Sequence, residues 1–373
     1  MLTRRPTRLV VAVAALTLLA AACATTKSSG GGGGAKSSGG AKKIALLLPE
    51  TKTTRYEAQD RPLFEAKVKA LCPSCQLIYS NADQDASKQQ DQADAALTNG
   101  AKVMVLDPVD ASSAASIVSK AKSQNVPVVS YDRLVLNADV NYYISFNNEQ
   151  VGRLQGETLV KKLKSDGKSG AIVMINGSPT DPNAKDFKKG AHSVIDSSGF
   201  KVGKEYDTPD WSPDKAQSEM DQAITALGKT GFVGVYAAND GTAGGAIAAM
   251  KGAGVDPSTR PTTGQDAELA AVQRILTGEQ YMTVYKAIKP EAEQAAELAV
   301  DLVNGNTSAA DSLAKSKKNN GTKDVSSIIL TPVAVTKATA KQTIGQMLKD
   351  GFLKAGQLCT GKAAAGCQQA GLT

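Results

Sequence analysis

Short apolar runs alternate with amphipathic stretches along this chain, and each run stops at a polar punctuation. Leu46-Leu47-Leu48 ends at Pro49-Glu50, Val103-Met104-Val105-Leu106 at Asp107-Pro108, and Val128-Val129 at Tyr131-Asp132-Arg133. The pattern repeats at Asn176-Gly177-Ser178, Asn239-Asp240-Gly241 and Gly264-Gln265-Asp266. Apolar runs bounded by turn residues predict buried strands, at 44–48, 76–79, 103–106, 128–130, 142–146, 171–175, 201–206, 232–237 and 328–335. Between and after them helices are predicted at 60–71, 86–98, 111–123, 149–164, 183–196, 213–228, 241–251, 290–303 and 340–350. Two βαβ series in tandem imply an α/β protein with two doubly wound, Rossmann-like parallel sheets. The segments 290–303, 328–335 and 340–350 lack sequential partners, so they are expected to cross back between the domains as a multi-strand hinge around a closable cleft. Ligands of open parallel sheets sit outside the carboxyl ends of the strands, which makes the polar endings the candidate binding groups.

The N-terminus reads as an address. Arg4, Arg5 and Arg8 precede an apolar run over 9–22 that suits a signal peptide and is short for a membrane span, so residues 1–22 are expected to be removed on export. Leu18-Leu19-Ala20-Ala21-Ala22-Cys23 resembles the lipobox of bacterial lipoproteins, with Ala20 where a leucine is preferred. The resemblance implies acylation of Cys23; an ordinary cleaved signal peptide is the alternative. Residues 23–41 are Gly/Ser-rich, including five consecutive glycines, and read as a flexible, lipid-anchored linker. Loss of three arginines lowers the net charge from +7 to +4, and Lys27 and Lys36 of the linker carry two of those charges. The remainder is too weakly basic for a nucleic-acid footprint, and the lysines at 161–168 and 315–318 read as solvated surface. About 330 residues then remain, comfortable for two domains. Aromatics are only 4% of the chain, so an aromatic near a polar strand end stands out.

Four further cysteines form two local pairs, Cys72 with Cys75 and Cys359 with Cys367, most simply read outside the cytoplasm as two disulfides. A redox-active Cys-Pro-Ser-Cys would be expected to open a helix, whereas this one follows the helix ending at Leu71. His192 is the sole histidine, and neither a metal site nor a cofactor is expected.

Seven segments carry a wider resemblance: Arg55-Tyr56 with Asp60-Arg61, Val129-Ser130-Tyr131-Asp132-Arg133, Tyr143-Ile144-Ser145-Phe146-Asn147-Asn148-Glu149, Gly177-Ser178-Pro179-Thr180-Asp181-Pro182-Asn183-Ala184-Lys185, Ala238-Asn239-Asp240-Gly241-Thr242, Gly264-Gln265-Asp266-Ala267-Glu268 and Met282-Thr283-Val284-Tyr285-Lys286. From Lys43 to about Leu353 the chain resembles the xylose-binding proteins of bacterial ABC transporters, within the ribose/galactose group of type I periplasmic binding proteins. The expected division is an N-terminal lobe of 43–146 plus 287–325, a C-terminal lobe of 147–286 plus 326–353, and a disulfide-bearing tail over 354–373.

The resemblance implies sugar contact by Arg55, Asp132, Arg133, Asn183, Asn239, Asp266 and Lys286, with stacking by Tyr56 and Trp211. A pyranose presents hydroxyls that both donate and accept, which carboxylates, amides and cations match, while flat rings cover its C–H faces. Tyr56 stands where the family carries tryptophan, and Asn147 where an aspartate is common. The spacing from Arg55-Tyr56 to Asp60-Arg61 is one residue longer than expected. Asp240 reads as the N-cap of the helix at 241–251, leaving the Asn239 side chain free for the cleft.

Other classes fit less well. The chain has no nucleophile elbow, and the glycine run at 30–34 lacks the lysine and strand of a phosphate loop. Asp132 and Asp266 could suggest glycoside hydrolysis, but Arg133 and Lys286 would hold both ionised and leave no proton donor, so no enzyme is expected. A transcription-factor effector domain conflicts with the export signal. The expectation is a monomeric, extracytoplasmic lipoprotein on the outer face of the cell membrane. It would deliver a monosaccharide, xylose before glucose or a related aldose, to an ABC permease. A sugar-sensing receptor for chemotaxis or a two-component system is the alternative.

Overall fold

The computed structural model describes residues 42–372. The signal peptide expected over 1–22, the acylation at Cys23 and the linker over 23–41 lie outside the described residues.

The chain begins β1 (Lys43–Leu48), α1 (Arg61–Leu71), β2 (Gln76–Asn81), α2 (Ala86–Thr98), β3 (Val103–Leu106), α3 (Ala115–Ser123), β4 (Val128–Tyr131) and β5 (Tyr142–Phe146). It continues through α4 (Asn148–Ser165), β6 (Ala171–Asn176), α5 (Pro182–Ile195), β7 (Lys201–Asp207), α6 (Pro213–Leu227), β8 (Phe232–Ala237), α7 (Asp240–Gly252), α8 (Leu269–Thr277) and β9 (Met282–Tyr285). Then come α9 (Ile288–Val303), α10 (Thr307–Leu313), β10 (Ser316–Asn319), β11 (Asp324–Leu330), β12 (Val333–Thr336), α11 (Ala340–Lys349), α12 (Ala355–Leu358) and α13 (Ala363–Ala370).

Two layered bodies result. The first holds a seven-stranded sheet in the order β10-β11-β5-β4-β3-β1-β2, parallel except for β10. Helices cover both faces, which is why β1 reads as an unbroken apolar run: Ile44, Leu46 and Leu48 face α1 and α9, and Ala45 and Leu47 face α2 and α3. The second holds the parallel order β7-β6-β8 and the antiparallel pair β12-β9. Segment 261–266 joins them: Val235 N donates to Pro261 O (2.9 Å) on the β8 side, and Val284 N donates to Gly264 O (3.0 Å) on the β9 side.

Several predictions are corrected. The strand expected over 328–335 is two strands in two sheets. β11 pairs with β5, β12 pairs with β9, and Thr331-Pro332 makes the crossing, so the lobe division expected between 325 and 326 falls some residues later. The helix expected from 111 begins at Ala115, because the Asp110 carboxylate accepts from the Ser112 and Ser113 amides and holds a turn there. The lysine stretch at 315–318 lies at the surface as read, with Lys318 half-buried, but as edge strand β10; α8, β9 and α10 lie outside the predicted elements. The region beyond 353 is more than a tail: Leu358, Ala363 and Cys367 share a core with Val272, Leu276 and Ile344. Both disulfides, Cys72–Cys75 and Cys359–Cys367, are formed.

Candidate functional site

The polar strand endings converge. Arg55 and Tyr56 follow β1, Asp132 and Arg133 follow β4, Asn183 lies in the first turn of α5, and Trp211 lies between β7 and α6. Asn239 follows β8, Asp266 ends the 261–266 segment, and Lys286 follows β9. All nine line one small cavity, together with Thr53, Asp181, Phe187 and Gln265, which were not singled out in the sequence. Asp132 (φ 51°), Trp211 (φ 53°) and Asp266 (φ 93°) adopt left-handed backbone, a strained turn that re-aims a side chain at a strand end.

From the first body, Arg55 is held by three acids. Its Nε and NH2 donate to Asp60 (2.9 and 2.5 Å), NH2 also donates to Glu291 Oε2 (2.5 Å), and NH1 donates to Asp132 Oδ2. Asn183 Nδ2 donates to Asp132 Oδ1 across the cleft at 2.6 Å. Burial pushes the Asp132 carboxyl up, but Lys286, Arg55 and Arg133 outweigh it and hold the group below the usual carboxylate range. Arg133 does not pair with its neighbour Asp132. Its Nε lies 3.0 Å from Asp181 Oδ2 and 3.6 Å from Asp107 Oδ1, while its NH2 lies 3.6 Å from Glu50 Oε1 and donates to the Tyr56 hydroxyl at 3.3 Å. Asp107, one of the polar strand endings, is thus a buried counter-ion behind Arg133. Burial raises its carboxyl well above the ordinary value, Arg133 opposing. The Tyr56 ring lies between Arg55 and Arg133, whose guanidinium carbons are 5.3 and 5.7 Å from its centre.

In the second body, Trp211 Nε1 donates to Asp181 Oδ2 at 3.0 Å, and the indole meets Phe187 edge-on, with centroids 6.3 Å apart. Lys286 Nζ lies 3.2 Å from Asp266 Oδ1 and 3.7 Å from Asp132 Oδ2, bridging a carboxylate from each body. Gln265 Nε2 donates to Asp266 Oδ2 at 3.1 Å.

The expected cap is displaced by one residue. Asn239, not Asp240, caps α7: its Oδ1 accepts from Thr242 N at 2.9 Å, leaving only its amide nitrogen for the cavity. Asp240 points the other way and fastens the Asp266 loop. It accepts from Gln280 Nε2 (2.7 Å), Thr283 Oγ1 (2.8 Å) and Glu268 N (3.0 Å), and burial raises its carboxyl to about 7.

The cavity thus alternates acceptors (Asp132, Asp266) with donors (Arg133, Lys286, Asn183, Asn239) beside an indole face. That set suits a neutral ring bearing several hydroxyls. Asp181 and Gln265 were within reach of sequence reasoning, since both lie inside segments singled out for other residues. Phe187 sits mid-helix and carries no such signal.

The family model described as a periplasmic binding protein domain matches residues 44–307. The chain is 37% identical over 320 residues to the D-xylose-binding periplasmic protein of Escherichia coli (strain K12), covering 85% of this chain and 92% of that protein. It is 34% identical over 294 residues to a multiple sugar-binding periplasmic receptor of Rhizobium radiobacter, covering 74% and 81%. A solved ABC transporter solute-binding protein from Clostridium phytofermentans, with bound β-D-glucose, superposes with a TM-score of 0.75 at 28% identity over 85% of this chain and 100% of that one. With two parallel-sheet bodies, a cleft at their strand ends and a family match over most of its length, the chain belongs to the periplasmic binding protein family, type I fold, whose members bind ligands and are not enzymes.

Proposed function

We propose that this chain is the solute-binding component of an ABC sugar importer. It captures a monosaccharide, D-xylose foremost, between its two bodies and presents the closed form to a membrane permease. The observation that carries this reading is the composition of the cleft: Asp132 and Arg133 come from one body, and Asn183, Asn239 and Asp266 from the other. A ligand touching both sets has higher affinity for the closed form and shifts the population toward it. The names of the relatives support export. The lipobox-like segment ending at Cys23 supports a lipid anchor on the outer face of the cell membrane, with the domain working as a monomer at the end of its linker. The lobes we assign are 43–146 with 288–330 and 148–286 with 333–372.

The test is a titration of the mature chain with D-xylose, D-glucose, D-galactose and L-arabinose, following Trp211 emission and heat release together. Saturable binding of D-xylose is expected. Silence in both signals for every aldose overturns the proposal.

A further inference from the structure

We infer that Gly177 is a positioning residue for Trp211: it sets the height of the indole in the cleft and so the thickness of the ring the cavity admits. The statement about ligand thickness rests on the sugar-binding reading above; the statement about the indole does not.

Gly177 follows β6 directly. Its φ is not among the positive values, so the backbone does not call for glycine there. Space does. A Cβ at 177 would lie 2.0 Å from Trp211 Cη2, 2.3 Å from Cζ2 and 2.4 Å from Cζ3, all on the far edge of the benzo ring. Carbons in ordinary contact sit about 3.5–4.0 Å apart, so one methyl group demands a displacement of about 1.5 Å.

The indole has little freedom to absorb that displacement elsewhere. Trp211 is 4% exposed, its edge faces Phe187, and its Nε1 is tied to Asp181. Asp181 is itself fixed, because it caps α5 through the Asn183 amide (2.8 Å) and pairs with Arg133. The loop carrying the indole is held in left-handed backbone at Asp210 (φ 60°) and Trp211 (φ 53°). The open side is the cavity, which the ring lines. A methyl group at 177 therefore pushes the indole into the space a ligand ring would occupy.

The clashing atoms also define a rescue. A phenylalanine at 211 ends short of them, so W211F should accommodate the methyl group of G177A. The experiment uses the full mature chain as wild type, G177A, W211F and the double variant, with D-xylose affinity measured by calorimetry. Emission and acrylamide quenching of the single tryptophan are compared between ligand-free wild type and G177A.

G177A is expected to shift the emission, to raise quenching and to lower affinity by roughly 10- to 100-fold. In the double variant W211F should recover about tenfold over G177A, the coupling expected of residues in contact. Unchanged emission in G177A overturns the positioning role. Unchanged affinity, or no recovery in the double variant, overturns the link from ring height to ligand. If G177A alone fails to fold, a folded, sugar-binding double variant supports the contact, and an unfolded one overturns it. A wild type that binds no aldose rejects the proposed function and leaves the emission comparison to judge Gly177.

Discussion

Replacing Arg55 by methionine should cost stability in a pH-dependent way. The guanidinium is 3% exposed and bonds three carboxylates that are equally buried: Asp60, Asp132 and Glu291. Methionine retains much of the apolar stem but none of the five donors. After the change Asp132 still has Lys286 at 3.7 Å and Asn183 at 2.6 Å, and Asp60 still has the Tyr131 hydroxyl. Glu291 has no such reserve, since Oε2 loses Arg55 and Oε1 has no partner among the described residues. Stranding a buried acid in this way costs about 3–5 kcal/mol.

The sign with pH follows from Glu291. Burial raises its carboxyl well above the ordinary value, and Arg55 is the largest opposing influence. A carboxyl whose folded pKa exceeds its unfolded one takes up a proton on folding. Its contribution is intact below the unfolded value and is lost as pH rises toward the folded value, by up to about 1.4 kcal/mol per pH unit. Removing Arg55 raises the folded value further, so R55M should lose more at pH 8 than at pH 5. Urea unfolding followed by circular dichroism at both pH values measures this, and a midpoint drop of about 1–2 M is expected near pH 8. A loss under about 1 kcal/mol, or a larger loss at pH 5, would refute the reasoning.

Four other outcomes are expected. D266A should abolish the saturable response to D-xylose in calorimetry while the protein still melts cooperatively, because it strips the Lys286 and Gln265 partners from the cavity without touching the Asp240 bonds that hold the loop. Joint serine replacement of Cys359 and Cys367 should lower stability by about 2–3 kcal/mol, as their separation of 8 residues gives a short closed loop, and leave sugar affinity within twofold. Proton NMR of His192 should show titration above the ordinary value: burial lowers it, but hydrogen bonds to Glu205 and Asp196 outweigh that, so its stabilisation is present below the unfolded pKa and fades as pH rises through the folded one. C23A should move the exported protein from the membrane fraction to the soluble one, and retention at the membrane would count against acylation.

The parts of this architecture that were legible in the sequence are those where one local rule acts alone. Apolar β1 and β3 are buried on both faces, and nothing competes with that reading. Residues 328–335 failed because a continuous apolar run does not show where the partner strand changes, and the switch from β5 to β9 depends on chain brought in from elsewhere. Asp240 failed differently. Both Asn239 and Asp240 are good caps, and the choice was made by Gln280 and Thr283, forty residues away, which claim the Asp240 carboxylate. Of the nine cavity residues, Asp132, Arg133, Asn239 and Asp266 stood out as polar endings of apolar runs, whereas Arg55, Tyr56, Asn183, Trp211 and Lys286 came from the family resemblance. The counter-ion roles of Asp60 and Glu291 stayed hidden because an acid on a helix reads as solvated until the fold buries it, and Asp107, though noted as a strand ending, turned out to back Arg133.

The crossing at Thr331-Pro332 has a consequence for biogenesis. Helix α9 and strand β11 belong to the first body, yet they are synthesised after most of the second. A chain emerging N-terminus first can assemble β1 to β5 early, but the face covered by α9 stays bare until residue 303 has appeared, and the place of β11 beside β5 stays vacant until residue 330. The second body is likewise incomplete until β12 and the disulfide-tied C-terminus arrive. Neither sheet system is therefore complete before the last segments of the chain have appeared.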